Sequence, residues 1–411
     1  MAIGETASRG VRVATASLAA TLLAITGCTT ALEPMEPGSF YRIAADRIGG
    51  APGTILRSEQ MAGAPAGTSA YRVLYRSTGL KDEPIAVSGI VVVPEGVVPD
   101  GGRPVIAWAH PTTGVANRCA PTLTPNVFKQ IQGLPEMLAL GYVVAATDYP
   151  GLGTPGTHPY LVGVSEGRAV LDSVRAARNL AEAQASGTFA VWGHSQGGQA
   201  SLYAGQLART YAPDLKLAGV AAAAPATDLA QLLRDDIGTK GGKVLTAYAL
   251  WSWNRVYDAP LGPVLDPAAK PTVDAISADC IENLGEDLAV ARLESRINTN
   301  FLHGDVTEIE PWKTLLAQNA TGGAPAGAPV FLAQGTADET VRPQVTFQFA
   351  KSLCETGTPV RFDWLPGVNH DRAAAVSAPT AVEWMQGRIQ GLAAPNDCRR
   401  LPPPPNVASS G

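Results

Sequence analysis

Clustered positive charge is missing from this sequence, and cysteine is scarce. There is no basic tract, and 36 acidic residues outnumber 31 basic ones, for a net charge of −5. Proteins that neutralise nucleic-acid phosphates carry clustered Lys and Arg, so the charge pattern argues against a nucleic-acid partner. Only 5 of the 411 residues are cysteine. Their spacing does not resemble that of a metal site, so none is expected.

Long hydrophobic runs are also missing. The apolar stretch at residues 13–26 follows Arg9 and Arg12, and it is shorter than the about 20 residues that span a bilayer. It therefore predicts a secretory signal peptide over residues 1–27. The next residue, Cys28, ends an ITGC segment that resembles the lipobox of bacterial lipoproteins, with an ordinary cleavage site as the alternative. We expect an exported protein, either secreted or anchored to an envelope membrane by acyl chains on Cys28.

Four cysteines remain after Cys28, namely Cys119, Cys280, Cys354 and Cys398. Their number is even and an exported protein meets an oxidising compartment, so two disulfides are expected. Four cysteines allow three pairings, and sequence spacing alone does not choose among them.

Short β-rich runs alternate with longer helical patterns through most of the chain. Several of these runs are continuously apolar, as expected for strands that are covered on both faces. The alternation predicts an α/β fold with a mostly parallel central sheet flanked by helices. The predicted strands are residues 71–77, 86–94, 104–110, 142–150, 188–195, 217–225, 329–335 and 361–366.

One segment breaks this alternation. Residues 226–328 have mostly helical patterning and little strand signal. An insert of this kind between two late core strands predicts a helical cap over the functional site. We therefore expect a tether at 28–39, a core at 40–225 and 329–400, the cap, and a disordered, proline-rich tail at 401–411.

Two segments match the Gly-x-Ser-x-Gly pattern, which is typical of the nucleophile elbow in α/β-hydrolases. GHSQG, residues 193–197, follows the β-rich run TFAVW and precedes a helical pattern that opens with small residues. An elbow needs a strand, a tight turn and a helix in that order. The surroundings therefore predict Ser195 as a nucleophile in an α/β-hydrolase fold.

GVSEG, residues 163–167, has different surroundings. It follows a loop rich in Pro and Gly and precedes an amphipathic helical pattern. We interpret Ser165 as the N-cap of that helix, with its hydroxyl accepting from a free backbone N–H. Glu166 would then lie near the positive end of the helix dipole.

A nucleophilic serine needs a general base, and in this fold an acid and then a histidine follow it along the chain. Of five histidines, only His370 lies beyond the last predicted core strands, in a loop from which it could reach Ser195. Asp338 follows the strand predicted at 329–335 and is the expected acid, with Glu339 as the next candidate. The acid would orient the imidazole and stabilise its charged form.

The oxyanion hole needs two hydrogen-bond donors. One is expected to be the backbone N–H of Gln196, directly after the nucleophile. The second is expected in the loop after an early strand, where Pro111 has no N–H, so that Thr112 or Thr113 donates. The Thr112 hydroxyl could add a further bond. His110, in the same loop, is interpreted as a packing residue.

Aromatic residues of the predicted cap suggest an apolar substrate pocket. Trp251 and Trp253, together with Tyr248 and Leu250, could line a pocket for an acyl chain. The alternative is that these side chains form the core of the cap itself, and the spacing does not separate the two readings.

Several blocks of the sequence resemble the secretory lipase family of α/β-hydrolases, of the Candida antarctica lipase A type. They are HPTTGVANRCAP (110–121), ATDYPGLGTPGTHPYLVG (146–163), GHSQGG (193–198) and QGTADETV (334–341). The resemblance covers most of residues 40–400. It implies a serine esterase acting on lipid or small-molecule carboxylic esters, with Ser195, Asp338 and His370 as the triad.

The resemblance has three further implications. A helical cap would lie over an acyl tunnel. Thr112 would stand where the fungal lipase has an aspartate whose side chain helps to form the oxyanion hole. The cysteines would pair as Cys119–Cys280 and Cys354–Cys398. No metal or organic cofactor is needed for this chemistry.

Three rival functions are weighed from the sequence, one of them a peptidase or amidase on the same fold, against which the lipase-like blocks argue. An acyltransferase would use the same acyl-enzyme but deliver the acyl group to an alcohol instead of water. A lipoprotein that only binds lipid would not need the triad. The natural ester and the oligomeric state are not indicated by the residues.

Overall fold

The computed structural model describes residues 36–281 and 301–401, together with positions 1, 2, 4, 295, 403 and 404. The chain divides into two units, Met1–Ala31 and Leu32–Gly411. The signal peptide, Cys28, most of the tether and most of the tail lie outside the described residues. In the described parts of the chain, none of the helices combines the length and hydropathy needed to cross a membrane.

A nine-stranded sheet forms the centre of the second unit, in the order β1-β2-β3-β5-β4-β6-β7-β8-β9. The pairs β1–β2, β2–β3 and β3–β5 are antiparallel. The pairs β4–β5, β4–β6, β6–β7, β7–β8 and β8–β9 are parallel. The strands are β1 Ile55–Gln60, β2 Thr68–Thr78, β3 Pro84–Pro94, β4 Arg103–Ala109, β5 Val143–Thr147, β6 Ala185–His194, β7 Lys216–Ala223, β8 Val330–Gly335 and β9 Val360–Leu365. The predicted α/β-hydrolase class, with a mostly parallel sheet, is confirmed.

Helices cover both faces of the sheet. The described α-helices are α1 Val127–Gln130, α2 Leu134–Ala139, α3 Gly163–Asn179, α4 Gln196–Tyr211, α5 Leu229–Asp236, α6 Lys240–Val256, α7 Lys270–Ala278, α8 Trp312–Asn319, α9 Pro343–Glu355 and α10 Ala373–Ile389. Short 3₁₀ turns occur at Ser39–Tyr41, Ala45–Arg47, Asn117–Cys119, Pro121–Leu123, Ala181–Ala183 and Cys398–Arg400.

The two faces of β4 show why the central strands are continuously apolar. Ile106 and Trp108 pack in one hydrophobic cluster, which includes residues of α2 and α10. Val105 and Ala107 pack in a second cluster, which includes residues of α3 and α4. Successive side chains of a strand point to opposite faces, so a strand covered by helices on both sides needs apolar residues at every position. Each fully buried large aliphatic side chain contributes about 1.5–3 kcal/mol of transfer free energy.

All eight predicted strands are present, and the structure adds β1, which the sequence pattern did not indicate. Its sequence, ILRSEQ, is mostly polar, and its last three residues are exposed. An edge strand that packs weakly on the sheet needs little apolar surface, so the periodic signal that reveals central strands is missing.

The long segment between β7 and β8 contains α5, α6, α7 and α8, and parts of it lie outside the described residues. Its described helices share a hydrophobic cluster that includes Tyr248, Leu250, Trp253 and Trp312. The indole N–H of Trp253 donates to the backbone oxygen of Tyr160, at 2.8 Å, which joins this cluster to the loop before α3.

Two disulfides join distant parts of the fold, and both are the pairs that the family resemblance implied. Cys119–Cys280 connects the segment after β4 to the segment after α7. Cys354–Cys398 connects α9 to the C-terminal region. The bonds close loops of 161 and 44 residues, and loops of these sizes correspond to about 5 and about 4 kcal/mol of unfolded-state entropy in the chain-entropy model.

Candidate active site

Ser195 lies at the junction of β6 and α4. Its backbone has a φ of 57°, a left-handed conformation that is strained for a residue with a side chain. Its N–H donates to the Ala223 oxygen at 3.0 Å, and its carbonyl accepts from the N–H of Ala226 at 3.2 Å. The end of β7 and the loop after it therefore hold the turn. A strained, tightly held residue between a buried strand and a helix is the arrangement of a nucleophile elbow.

The glycines that flank Ser195 permit this turn. A Cβ on Gly193 would overlap the backbone oxygen of Gly197, and a Cβ on Gly197 would overlap the backbone oxygen of Ala109. The elbow therefore packs backbone against backbone. Any side chain at either position would force β6, α4 or the end of β4 apart.

His370 connects Ser195 to Asp338. The Ser195 hydroxyl and Nε2 of His370 are 2.9 Å apart, and Nδ1 of His370 lies 2.9 Å from Oδ2 of Asp338. A carboxylate only accepts hydrogen bonds, so Nδ1 carries a proton and Nε2 is free to accept from the serine hydroxyl. The structure thus brings together all three predicted triad residues, which are up to 175 positions apart in the chain.

The Asp338 carboxylate is buried and heavily hydrogen-bonded. Oδ1 accepts from the backbone N–H groups of Thr340 and Val341, at 2.9 and 2.8 Å. Oδ2 accepts from the amide of Gln334, at 3.0 Å, as well as from His370. These four donors hold the carboxyl group in one orientation. Glu339, the alternative acid, is exposed.

His194 supports the turn that carries His370. Its Nε2 is 3.0 Å from the backbone oxygen of His370, and the two rings lie 4.8 Å apart. Burial lowers the pKa of His194 to about 3, so its ring is neutral and donates one hydrogen bond. The sequence analysis gave His194 no role. Its position beside the nucleophile was the only signal, because its partner is 176 residues away.

His110 is a packing residue, as predicted. Its Nδ1 and Nε2 lie 2.6 and 3.3 Å from the backbone oxygens of Pro111 and Asp148. Its ring packs against Tyr149 with centroids 4.3 Å apart. Burial lowers the pKa of His110 to about 4, which keeps the ring neutral.

The two predicted oxyanion residues belong to different segments, Gln196 to α4 and Thr112 to the loop after β4. Gln196 is the first residue of α4, so its backbone N–H is one of the unpaired donors at the positive end of a helix. The Thr112 hydroxyl is 3.0 Å from the hydroxyl of Tyr160. Tyr160 lines a pocket together with Ser195 and Gln196, so the Thr112 hydroxyl contacts a residue of the pocket wall.

The pocket at Ser195 is mostly apolar. Its wall is formed by the insert between β7 and β8 and by the loops that surround the elbow. The lining residues are Tyr160, Leu161, Ser195, Gln196, Ala226, Leu229, Leu232, Leu233, Asp236, Gly242, Leu245, Thr246, Ala249, Trp253, Leu316, Thr340 and Val341.

Of the two tryptophans predicted to bind substrate, only Trp253 lines this pocket among the described residues. Trp251 is not among the lining residues, and the guanidinium of Arg255 lies 3.9 Å from its ring centre. Residues four apart share one face of a helix, whereas residues two apart do not. Leu245, Ala249 and Trp253 therefore face the pocket together. The prediction missed this spacing because it paired Trp251 with Trp253, which lie only two residues apart.

A carboxyl group also lies in the pocket wall. Oδ1 of Asp236 is buried and has no hydrogen-bond partner among the described residues. Burial and the neighbouring charge of Asp235 raise the pKa of Asp236 to about 7, and Arg342 and His370 oppose this rise. The sequence did not indicate that Asp236 is buried, because the segments that pack over the end of its helix are distant in the chain.

The interpretation of Ser165 as an N-cap is wrong. Helix α3 begins at Gly163 with Val162 as its N-cap, and Ser165 lies within the first turn, buried. A Cβ on Gly163 would overlap the ring of Tyr203 in α4. Helix α3 therefore starts three residues earlier than an N-cap at Ser165 would give, at a glycine that lets the two helices approach closely.

Comparisons with known proteins identify the relatives of this chain. The model of the family described as "Secretory lipase" matches residues 120–396. A secreted triacylglycerol lipase of Malassezia globosa is 29% identical, over 86% of this chain and 79% of that protein. A probable inactive lipase of Mycobacterium tuberculosis is 27% identical, over 88% of this chain and 84% of that protein.

Solved structures show the same fold. The structure of Candida antarctica lipase A superposes with a TM-score of 0.74 and covers 89% of each chain, at 20% identity. At this identity the likeness establishes the fold alone. The family model spans more than half of the chain and includes the elbow, the acid and the histidine. The chain belongs to the secretory lipase family.

Proposed function

We propose that this protein is an exported serine esterase, which hydrolyses lipid or other carboxylic esters through an acyl-enzyme on Ser195. The observation that carries the proposal is the continuous hydrogen-bonded series from Ser195 through His370 to Asp338. One relative of this chain is named a probable inactive lipase, so family membership by itself does not imply catalysis. The geometry of the three side chains supports it.

His370 acts as the general base. Its Nε2 accepts the proton of the Ser195 hydroxyl, at 2.9 Å, as the serine oxygen attacks the ester carbonyl carbon. The ring then carries a positive charge, which Asp338 stabilises from 2.9 Å. The same proton passes to the leaving alcohol. Water, activated by His370 in the same way, then releases the acid from Ser195.

The oxyanion forms beside the start of α4. The backbone N–H of Gln196 donates to it, assisted by the helix dipole. The second donor is the backbone N–H of Thr112, since the end of β4 packs against Gly197 at the elbow and brings its loop alongside. The Thr112 hydroxyl, 3.0 Å from that of Tyr160, holds this loop to the pocket wall.

The apolar pocket receives the acyl chain, and the insert 226–328 forms its cap. Leu229, Leu233, Leu245 and Trp253 offer apolar surface within the pocket that contains Ser195. Each methylene of an acyl chain buried there contributes about 0.8 kcal/mol. This surface favours esters of apolar acids. We also propose that residues 40–225 and 329–400 form the hydrolase core and that Cys28 carries the membrane anchor.

Covalent labelling and hydrolysis test the proposal together. The protein is treated with a fluorophosphonate, digested, and mapped by mass spectrometry, while nitrophenyl esters from acetate to palmitate are assayed in parallel. We expect the adduct on the peptide that contains Ser195 and hydrolysis that the probe abolishes. Hydrolysis that survives complete labelling, or no hydrolysis of any ester, would contradict the proposed function.

A further inference from the structure

The two Gly-x-Ser-x-Gly segments touch through their fourth residues. The side-chain amide of Gln196 donates to Oε1 of Glu166 at 2.7 Å. The backbone N–H of Leu161 donates to the same oxygen at 2.9 Å. Both side chains are buried, with 0% of Glu166 and 1% of Gln196 exposed. A residue in the first turn of α3 thus holds the residue that follows the nucleophile.

His158 defines the orientation of the Gln196 amide. Its Nδ1 lies 2.9 Å from the backbone oxygen of Pro150, which can only accept, so Nδ1 carries the proton. Its Nε2 therefore accepts the second amide hydrogen of Gln196, at 3.1 Å. Burial lowers the pKa of His158 to about 3, so the ring stays neutral. Both hydrogens of the Gln196 amide are used, and its conformation is fixed.

Two buried oxygens nevertheless lack a donor. Oε2 of Glu166 and Oε1 of Gln196 have no hydrogen-bond partner among the described residues. The amide oxygen of Gln196 can only accept hydrogen bonds, and so can Oε2 of Glu166 when Glu166 is ionised. An ionised carboxylate with an unpaired oxygen is costly in a buried site. A proton on Glu166 supplies a donor and removes the charge.

The surroundings of Glu166 favour that proton. Burial raises the pKa of Glu166 to about 8, although its bonds from Gln196 and Leu161 oppose the rise. The titratable groups that face it are phenols and a neutral imidazole, and none of them carries a positive charge. They are Tyr149, Tyr160, Tyr203 and Tyr257, with His158 beyond the Gln196 amide.

We propose that Glu166 is a positioning residue of the esterase, which as a neutral carboxylic acid holds the Gln196 side chain and so aims the Gln196 backbone N–H at the oxyanion. The inference rests on the proposed function. Ionised Glu166 would place negative charge behind the group that receives the negative charge of the transition state. Deprotonation of Glu166 therefore lowers kcat, while binding of the substrate in the apolar pocket is unaffected.

Kinetics over a range from about pH 6 to about pH 10 test this role. In the wild type, kcat falls as the pH passes about 8. The isosteric Glu166→Gln keeps a donor and an acceptor without charge, so this fall disappears. Glu166→Ala removes the contact and lowers kcat about tenfold with little change in KM. Glu166→Gln keeps most of the wild-type kcat.

Asp172→Asn is the matched control. Asp172 is a buried carboxyl on the same helix, and Ser77, Tyr211 and Arg175 are its partners, remote from the pocket. Its replacement changes stability but leaves the pH profile of kcat as in the wild type. If Glu166→Ala does not fold, Gln196→Leu breaks the same contact from the other side and also lowers kcat.

Thermal unfolding adds a measurement that does not depend on activity. Between about pH 4.5 and about pH 8, folded Glu166 keeps a proton that the unfolded chain releases. Rising pH therefore lowers the Tm of the wild type relative to Glu166→Gln through this window, and the difference is constant above it.

Three results would overturn the inference: an unchanged alkaline fall of kcat in Glu166→Gln, an unchanged kcat in Glu166→Ala, or a Tm difference that does not vary with pH. A Ser195→Ala variant in the same assay separates this failure from that of the proposed function. If Ser195→Ala is as active as the wild type, the esterase mechanism is wrong. If it is inactive but Glu166→Gln keeps the alkaline fall, only the role of Glu166 is wrong.

Discussion

GVSEG and GHSQG share a pattern of letters but not a conformation. GVSEG forms the first turn of α3, where Ser165 is buried inside a regular helix. GHSQG crosses from β6 into α4, where Ser195 has a positive φ and its hydroxyl meets His370. The chain before each segment makes the difference, because only GHSQG is preceded by a buried strand that ends at the turn.

The glycines of both segments serve close packing. Gly193 and Gly197 allow backbones to meet within the elbow, while Gly163 and Gly167 allow α3 to approach α4 at Tyr203. The second match is therefore more than a coincidence of composition. It places Glu166 against Gln196, so one segment contains the proposed nucleophile and the other contacts the residue beside it.

The largest expected effect separates the two serines. Ser195→Ala removes the nucleophile, and we expect kcat for nitrophenyl esters to fall about 10⁶-fold, since triad members act as a unit. Ser165→Ala, the matched control, removes one hydroxyl from a helix and keeps full activity. Steady-state assays of both variants measure the contrast. A large loss in Ser165→Ala alone would reverse the assignment of the elbow.

The flanking glycines give the next contrast, in stability. Gly197→Ala forces a Cβ onto the Ala109 carbonyl oxygen at the junction of three elements, and we expect a loss of about 3 kcal/mol. Gly167→Ala places a Cβ 2.9 Å from the backbone nitrogen of Ala204, where the two helices can separate slightly, at about 1 kcal/mol. Denaturant unfolding measures both. Equal losses would show that the elbow is no tighter than the helix contact.

The smallest expected effect concerns His194, the second residue of GHSQG. The corresponding residue of GVSEG is Val164. His194→Phe keeps a ring beside His370 but removes the donor to its backbone oxygen, 3.0 Å away. We expect kcat to fall about tenfold as the turn loosens, with a loss of about 1 kcal/mol in stability. Val164→Ala is the comparison and leaves kcat unchanged. An unchanged kcat in His194→Phe would show that the turn holds His370 without this bond.

The patterns that predicted most of the fold and the site were local ones. The central strands are apolar at successive positions, so β4 to β8 were visible without knowing their partners. Ser195 was identified from the strand before it and the helical pattern after it. Asp338 and His370 followed from their order along the chain. The disulfide pairs came from the family resemblance, because spacing left three pairings open.

The errors and omissions occurred where packing between distant segments decided the outcome. Ser165 was taken as an N-cap because serine favours that position, but the contact of Gly163 with Tyr203 starts α3 earlier. Trp251 was predicted as a pocket residue together with Trp253, two positions away, but it is not among the lining residues, and the guanidinium of Arg255 lies against its ring. The polar edge strand β1 carried no periodic signal at all.

The sequence by itself determined the local features on which the proposed chemistry rests: a serine between a strand and a helix, then an acid and a histidine in the order of an α/β-hydrolase. Those features depend on residue type and on neighbours a few positions away. Only the tertiary structure decided which carboxyl groups are buried with an oxygen that lacks a hydrogen-bond partner among the described residues, as at Glu166 and Asp236. Burial of a charged group depends on what distant segments place over it, and no local pattern contains that information.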